Sequence, residues 1–200
     1  MRTLTALALY VVLQLPVAVL AETPHELAGF VLGDEFSKYR DLVDLPSQMP
    51  LRHGNSIDVV EVRSLPGYKY GVVWVGNCIV PSRIVSIRMK YADSSRIFYD
   101  ELLKRFKNRF GAPSEWRGDP FHVVISWKWS FVDDRQNRIS MILEHNKKSE
   151  EETVGNTIKL TMWNLIDEER ECKNKKYPEP AEQSGPATEG PPDWERFIPR

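Results

Sequence analysis

Val123-Val124-Ile125-Ser126-Trp127-Lys128-Trp129-Ser130-Phe131-Val132 is the stretch that decides the fold class. Val123, Ile125, Trp127, Trp129 and Phe131 fall on one side of an extended chain, and Ser126, Lys128 and Ser130 fall on the other. Successive side chains of a strand point to opposite faces, so this period of two predicts a sheet with one dry face and one wet face. Two more segments repeat the pattern. Val85, Ile87, Met89 and Tyr91 alternate with Ser86, Arg88 and Lys90, and Ile158, Leu160 and Met162 alternate with Lys159, Thr161 and Trp163.

Working outward, the segment before Val123 reads as a helix. Phe98, Leu102, Phe106 and Phe110 recur every four residues and Leu103 widens the stripe. Asp93 or Ser94 is placed to cap its start, and Gly111 and Pro113 stop it. Lys104, Arg105, Lys107 and Arg109 cover its other face, as on an ordinary solvated helix. An earlier, shorter helix is expected after Gly33-Asp34, with Phe36, Tyr39 and Val43 at helical spacing and Pro46 and Pro50 forbidding continuation. Three strands are expected after each helix: 57–63, 70–77 and 83–91 after the first, and 123–132, 138–146 and 157–164 after the second. Pro66-Gly67 turns the chain between the first two, and Pro81-Ser82 ends the second. The expected fold is α+β: an antiparallel sheet of about six strands in two α-β-β-β halves, covered on one face by two helices.

The ends of the chain differ from this domain. Arg2, the apolar run from Leu4 to Leu15, Pro16 and the small residue at Ala21 have the form of a secretory signal, with cleavage expected after Ala21. The run is too short and too interrupted to span a bilayer. Residues 173–200 hold six of the 14 prolines, two glycines and scattered glutamates, a composition with too little apolar surface to offset ordering entropy. The expected organisation is a signal at 1–21, one α+β domain at 22–172 and a disordered Pro/Glu-rich tail at 173–200. Trp194, Phe197 and Ile198 near the end form a short aromatic cluster that either docks on something or is tolerated in water.

Charge and cysteine count narrow the class. The 27 basic and 28 acidic residues give a net charge of −1, which supplies no reason to expect nucleic acid or membrane insertion after the signal is removed. Cys78 and Cys172 are the two cysteines, and in the periplasm or outside the cell an even count favours a disulfide over two separate buried thiols. Such a bond would close a loop worth about 4–5 kcal/mol in the chain-entropy account. The wide spacing is unlike the paired cysteines of redox catalysts.

The turn Phe30-Val31-Leu32-Gly33 entering a short helix resembles small exported bacterial α+β modules of the β-lactamase-inhibitor-like and outer-membrane-assembly types. The helix end running from Leu103 through Arg105-Phe106 and Arg109-Phe110-Gly111 to Pro113 is similar to uncharacterised exported bacterial proteins. The chain departs from the assembly lipoproteins in having no cysteine at the cleavage site. The resemblance implies binding to proteins more than catalysis.

Catalytic and metal chemistry find little support in the residues. The four histidines, His25, His53, His122 and His145, include no close pair, so neither a metal site nor a cofactor is expected. No nucleophile elbow, zinc-protease helix motif or phosphate loop occurs. Asp119, His122 and Glu144 are the one acid–base set that a hairpin would bring near each other. Glu150, Glu151 and Glu152 read as a charged loop. The candidate binding surface is instead the wet face of the sheet, where Trp163, Lys159, Arg88 and Lys128 are expected beside Lys90, Arg138 and Glu144. A tryptophan ringed by charges suits a protein partner. Three alternatives stay open: Trp163 packing under the C-terminal segment or the Trp194 cluster, an enzyme or small-ligand carrier whose site only the fold assembles, and a tail that has the main role with the domain as a rigid carrier for its aromatic end.

Overall fold

The computed structural model describes residues 22–51, 54–147 and 155–178. The expected signal at 1–21, His53, the Glu150–Glu152 run and the Trp194 cluster lie outside them. A small hairpin, β1 (Glu26–Leu27) and β2 (Phe30–Val31), leads into a 3-10 helix at Phe36–Leu42. A four-strand meander follows: β3 (Val43–Leu51), β4 (Gly54–Val62), β5 (Tyr68–Gly76) and β6 (Ile84–Tyr91). Helix α1 (Arg96–Phe110) then opens a second meander of β7 (Glu115–Trp116), β8 (Val124–Val132), β9 (Arg138–Asn146) and β10 (Gly155–Met162). The chain continues directly into α2 (Trp163–Lys176).

The eight strands β3 to β10 form one antiparallel sheet in the order β3-β4-β5-β6-β10-β9-β8-β7. Each half is therefore a helix followed by four strands, and the last strands of the two halves, β6 and β10, pair at the centre. This corrects the expected six strands and α-β-β-β halves. The missing strands are the two edges. Pro46 and Pro50 do stop a helix, but proline is also tolerated on an edge strand, where its missing N–H leaves no ladder bond unmade. β3 is such an edge, and its register with β4 breaks between Asp44 and Met49. Val43, expected in the first helix, pairs with Val62 instead. At the other edge β7 is only two residues long.

The cover also differs from the expected two helices. Helix α1 carries fully buried Tyr99, and Phe106 packs edge-on against Trp129, so α1 lies over β8 and β9. Its cap is Ser95, whose hydroxyl accepts from the Phe98 N–H at 3.2 Å, and Asp93 in turn accepts from the Ser95 N–H. Gly111 ends the helix at φ +78°, a conformation that costs glycine little. The last strand stops at Met162 rather than Asn164, and a helix occupies 163–176. Leu165, Ile166 and Glu169 are its buried residues, and it contacts β4, β5, β6 and β9. The expected sulfur bond is present: Cys172 on α2 is joined to Cys78 after β5, with their Cα atoms 6.0 Å apart. Among the described residues, no helix is long and apolar enough to cross a membrane.

One cross-strand row defines the dry face. Val60, Val73, Ile87, Leu160, Met141 and Trp129 are register partners from β4 to β8, and none is more than 2 % exposed. Removing that apolar area from water, at about 25 cal/mol per Å2, is the main force holding the two halves together. Because side chains alternate, the next residue of each strand is turned to the opposite face.

Candidate functional site

The opposite face is built from three rows. The central one runs Glu61, Val72, Arg88, Lys159, Ile142, Lys128 and Glu115 across seven strands in direct register. On one side of it lies Val59, Trp74, Ser86, Thr161, Ser140 and Ser130. On the other lies Tyr70, Lys90, Thr157, Glu144 and Ser126. Sequence periodicity thus placed Arg88, Lys128 and Lys159 on one surface, and the structure adds that Arg88 and Lys159 are immediate neighbours.

This face is wet but not flat. Ser86, Thr161 and Ser140 are buried because longer side chains close over them. The Ser86 hydroxyl bonds the Leu160 carbonyl at 2.9 Å and the Thr161 hydroxyl at 2.7 Å, so the floor is internally satisfied. Lys159 reaches diagonally across β6 and sets its Nζ 3.6 Å from the centroid of the Trp74 ring. Burial, with Arg88 and Arg117 adding like charge, pushes the Lys159 ammonium down to about 8. Burial moves the Glu144 carboxyl upward, opposed by Arg88 and by a hydrogen bond from Ser126. A cleft of about 210 Å3 opens beside this cluster between Trp74, Arg88, Lys90, Thr157, Tyr70 and Leu51.

Trp163 is not on a strand. It is the first residue of α2, and its indole N–H donates to Ser140 Oγ at 2.9 Å, which brings a 41 % exposed ring to one end of the serine and threonine row. Lys128 and Arg117 both pair with Glu115, at 3.1 and 3.5 Å. Arg138 pairs with Asp167 of α2 at 2.5 Å. Sequence reading missed Trp74 because Gly71-Val72-Val73-Trp74-Val75 is apolar on both faces and gives no period.

The acid–base set that the sequence allowed is occupied elsewhere. Asp119 accepts the backbone N–H groups of Phe121, Val123 and Val124 and so shapes the turn into β8. The His122 ring lies against Trp116, while Glu144 answers to Ser126 and Arg88. His145 is buried and meets Asn156 at 2.7 Å beneath α1. Among the described residues no group of three or more His, Cys, Asp or Glu could hold a metal. A larger cavity, about 580 Å3, lies near the β1–β2 hairpin and the start of α2, and among the charged groups lining it Asp133 is paired with His25 at 2.9 Å, Glu168 with Arg83 at 2.5 Å and Asp34 with Lys38 at 3.2 Å. Comparison with known proteins finds no matching family model, curated protein or solved structure.

Proposed function

We propose that this is an exported protein, periplasmic or extracellular, that works by binding another protein through the open face of its sheet, as an inhibitor or an assembly module. The observation that carries this reading is the three-row face itself. It combines two tryptophans, Trp74 and Trp163, with a central pair of cations and a rim in which Lys128, Arg117 and Arg138 are already neutralised. Aromatic anchors inside a polar rim are the usual composition of a protein-binding hot spot. A sheet laid across seven strands in register also holds these side chains rigidly, so little entropy is lost on docking.

The test is affinity capture from the native exported fraction, using the mature chain beside a version ending at Pro178. A partner retained by both forms supports the sheet-face reading. A partner lost on truncation assigns the function to residues 179–200 and overturns it.

A further inference from the structure

The open face neutralises its edge and leaves its centre cationic. Lys128 and Arg117 share Glu115, and Arg138 has Asp167. Among the described residues, Arg88 and Lys159 have no carboxylate within ion-pair distance of 4 Å. They stand side by side at the junction of the two halves, where β6 meets β10. Two adjacent cations repel, and Glu144, the carboxylate in the next row that acts on Arg88, does so from beyond ion-pair distance.

We propose that Arg88 and Lys159 form a clamp for a carboxylate, and that its occupant is an aspartate or glutamate side chain projecting from a protein partner. This rests on the sheet-face reading above. Three features argue for that occupant. The Lys159 head is already fixed over Trp74, so a carboxylate meets a preorganised donor. Arg88 supplies a planar fork that takes carboxylate oxygens two at a time. Arg88 also lines a neighbouring cleft of about 210 Å3 with Trp74, Tyr70 and Lys90, smaller than the roughly 300 Å3 or more that small-molecule sites occupy, so the Arg88 side of the clamp takes one side chain rather than a whole ligand.

The clamp also has a proton linkage. Lys159 stands beside Arg88 of β6 and Ile142 of β9, with Lys90, Glu144 and Tyr70 in the adjacent row, Lys128 next along its own row on β8, Trp74 of β5 under its ammonium and Arg117 adding like charge from beyond β7. A carboxylate in the clamp opposes the burial and the like charge that hold the Lys159 ammonium near 8, so binding at alkaline pH takes up a proton.

A blocked hexaglutamate peptide is the probe, with blocked hexaglutamine as its neutral counterpart. Both are titrated at low salt into the mature protein, into Lys159→Met, into Arg88→Gln and into the α1 variant Lys104→Gln/Lys107→Gln. Hexaglutamate is expected to bind the parent, to lose about tenfold or more in each clamp variant, and to bind the α1 variant unchanged. Two independent clamp substitutions guard against one that misfolds. The clamp is overturned by equal affinity for the two peptides, by affinity indifferent to both clamp substitutions, or by no saturable binding. Loss of a captured partner on Trp163→Ala, together with no hexaglutamate binding, would overturn the clamp and leave the sheet-face reading standing.

Discussion

Lys159 on β10 lies over the ring of Trp74 on β5, two strands away, on a diagonal that crosses β6 between Arg88, the register partner of Lys159, and Ser86, the register partner of Trp74. The contact fixes a charge at the middle of the open face and places it against an aromatic surface, a geometry that favours the cation by about 0.5–2 kcal/mol. Burial and the neighbouring arginines oppose it by more, which is why the ammonium is pushed down to about 8 rather than up.

That balance sets a pH dependence. Between about 8 and the ordinary lysine value of 10.5, the unfolded chain holds a proton on residue 159 that the folded chain has released. Unfolding therefore takes up a proton in this window, and rising pH stabilises the fold. Below about 8 both states are protonated and the full cost of the buried charge is present. Lys159→Met is expected to be more stable than the parent at neutral pH by about 1–2 kcal/mol, with the difference shrinking as pH rises toward 10.5. Urea unfolding of both proteins from pH 7 to 10 checks this, and a constant difference would contradict it.

Glu169 secures α2 to the loop after β5. It is 1 % exposed and accepts the backbone N–H groups of Cys78 at 2.9 Å and Ile79 at 3.2 Å, while a β-carbon at Gly76 would overlap its other oxygen. Glu169→Ala is expected to cost about 2–4 kcal/mol, and Glu169→Gln less because its amide oxygen still accepts. Gly76→Ala is expected to be destabilising alone and nearly neutral when combined with Glu169→Ala. Additive effects in that double-mutant cycle would show that the two residues do not share the space.

Cys172 stands one turn beyond Glu169 and ties the same loop covalently. With a sequence separation of 94 between the cysteines, replacing both by alanine is expected to remove about 4–5 kcal/mol. Denaturant midpoints of the oxidised protein and of the double variant give the number directly. Equal midpoints would mean that the noncovalent contacts of α2, apolar burial of Leu165 and Ile166 included, dock it without the covalent bond.

Asn156 and His145 are register partners on the dry side of the sheet, and Asn156 also donates to the carbonyls of Asp93 at 2.8 Å and Ser95 at 2.9 Å. This buried amide holds the start of α1 to the centre of the sheet. Asn156→Ala is expected to cost about 2–3 kcal/mol and to speed amide exchange in the first turn of α1 before the strands. Uniform acceleration across the sheet would contradict a local role.

Much of this was legible from alternation. Period two in 85–91, 123–132 and 157–162 places Arg88, Lys128 and Lys159 on one face, since strand geometry leaves no other choice once the dry face is known. The edges were not legible, because Pro46 and Pro50 are compatible with a loop as readily as with an edge strand. Helix α2 was hidden because Trp163-Asn164-Leu165-Ile166 follows the strand with no glycine or proline to mark a break, and only the spacing of Leu165, Ile166, Glu169 and Cys172 marks a helical face. The contact of Lys159 with Trp74 depends on how β5, β6 and β10 are registered, and pairwise register of that kind is a property of the assembled sheet.

The open face is the centre of this account, and its most direct test is the affinity of the captured partner for the parent protein, for Trp163→Ala and for Lys159→Ala. Each substitution is expected to weaken the complex about tenfold or more while leaving thermal unfolding at or above the parent's midpoint for the lysine variant. Unchanged affinity in both, with the folds intact, would contradict the assignment of the sheet face as the binding surface.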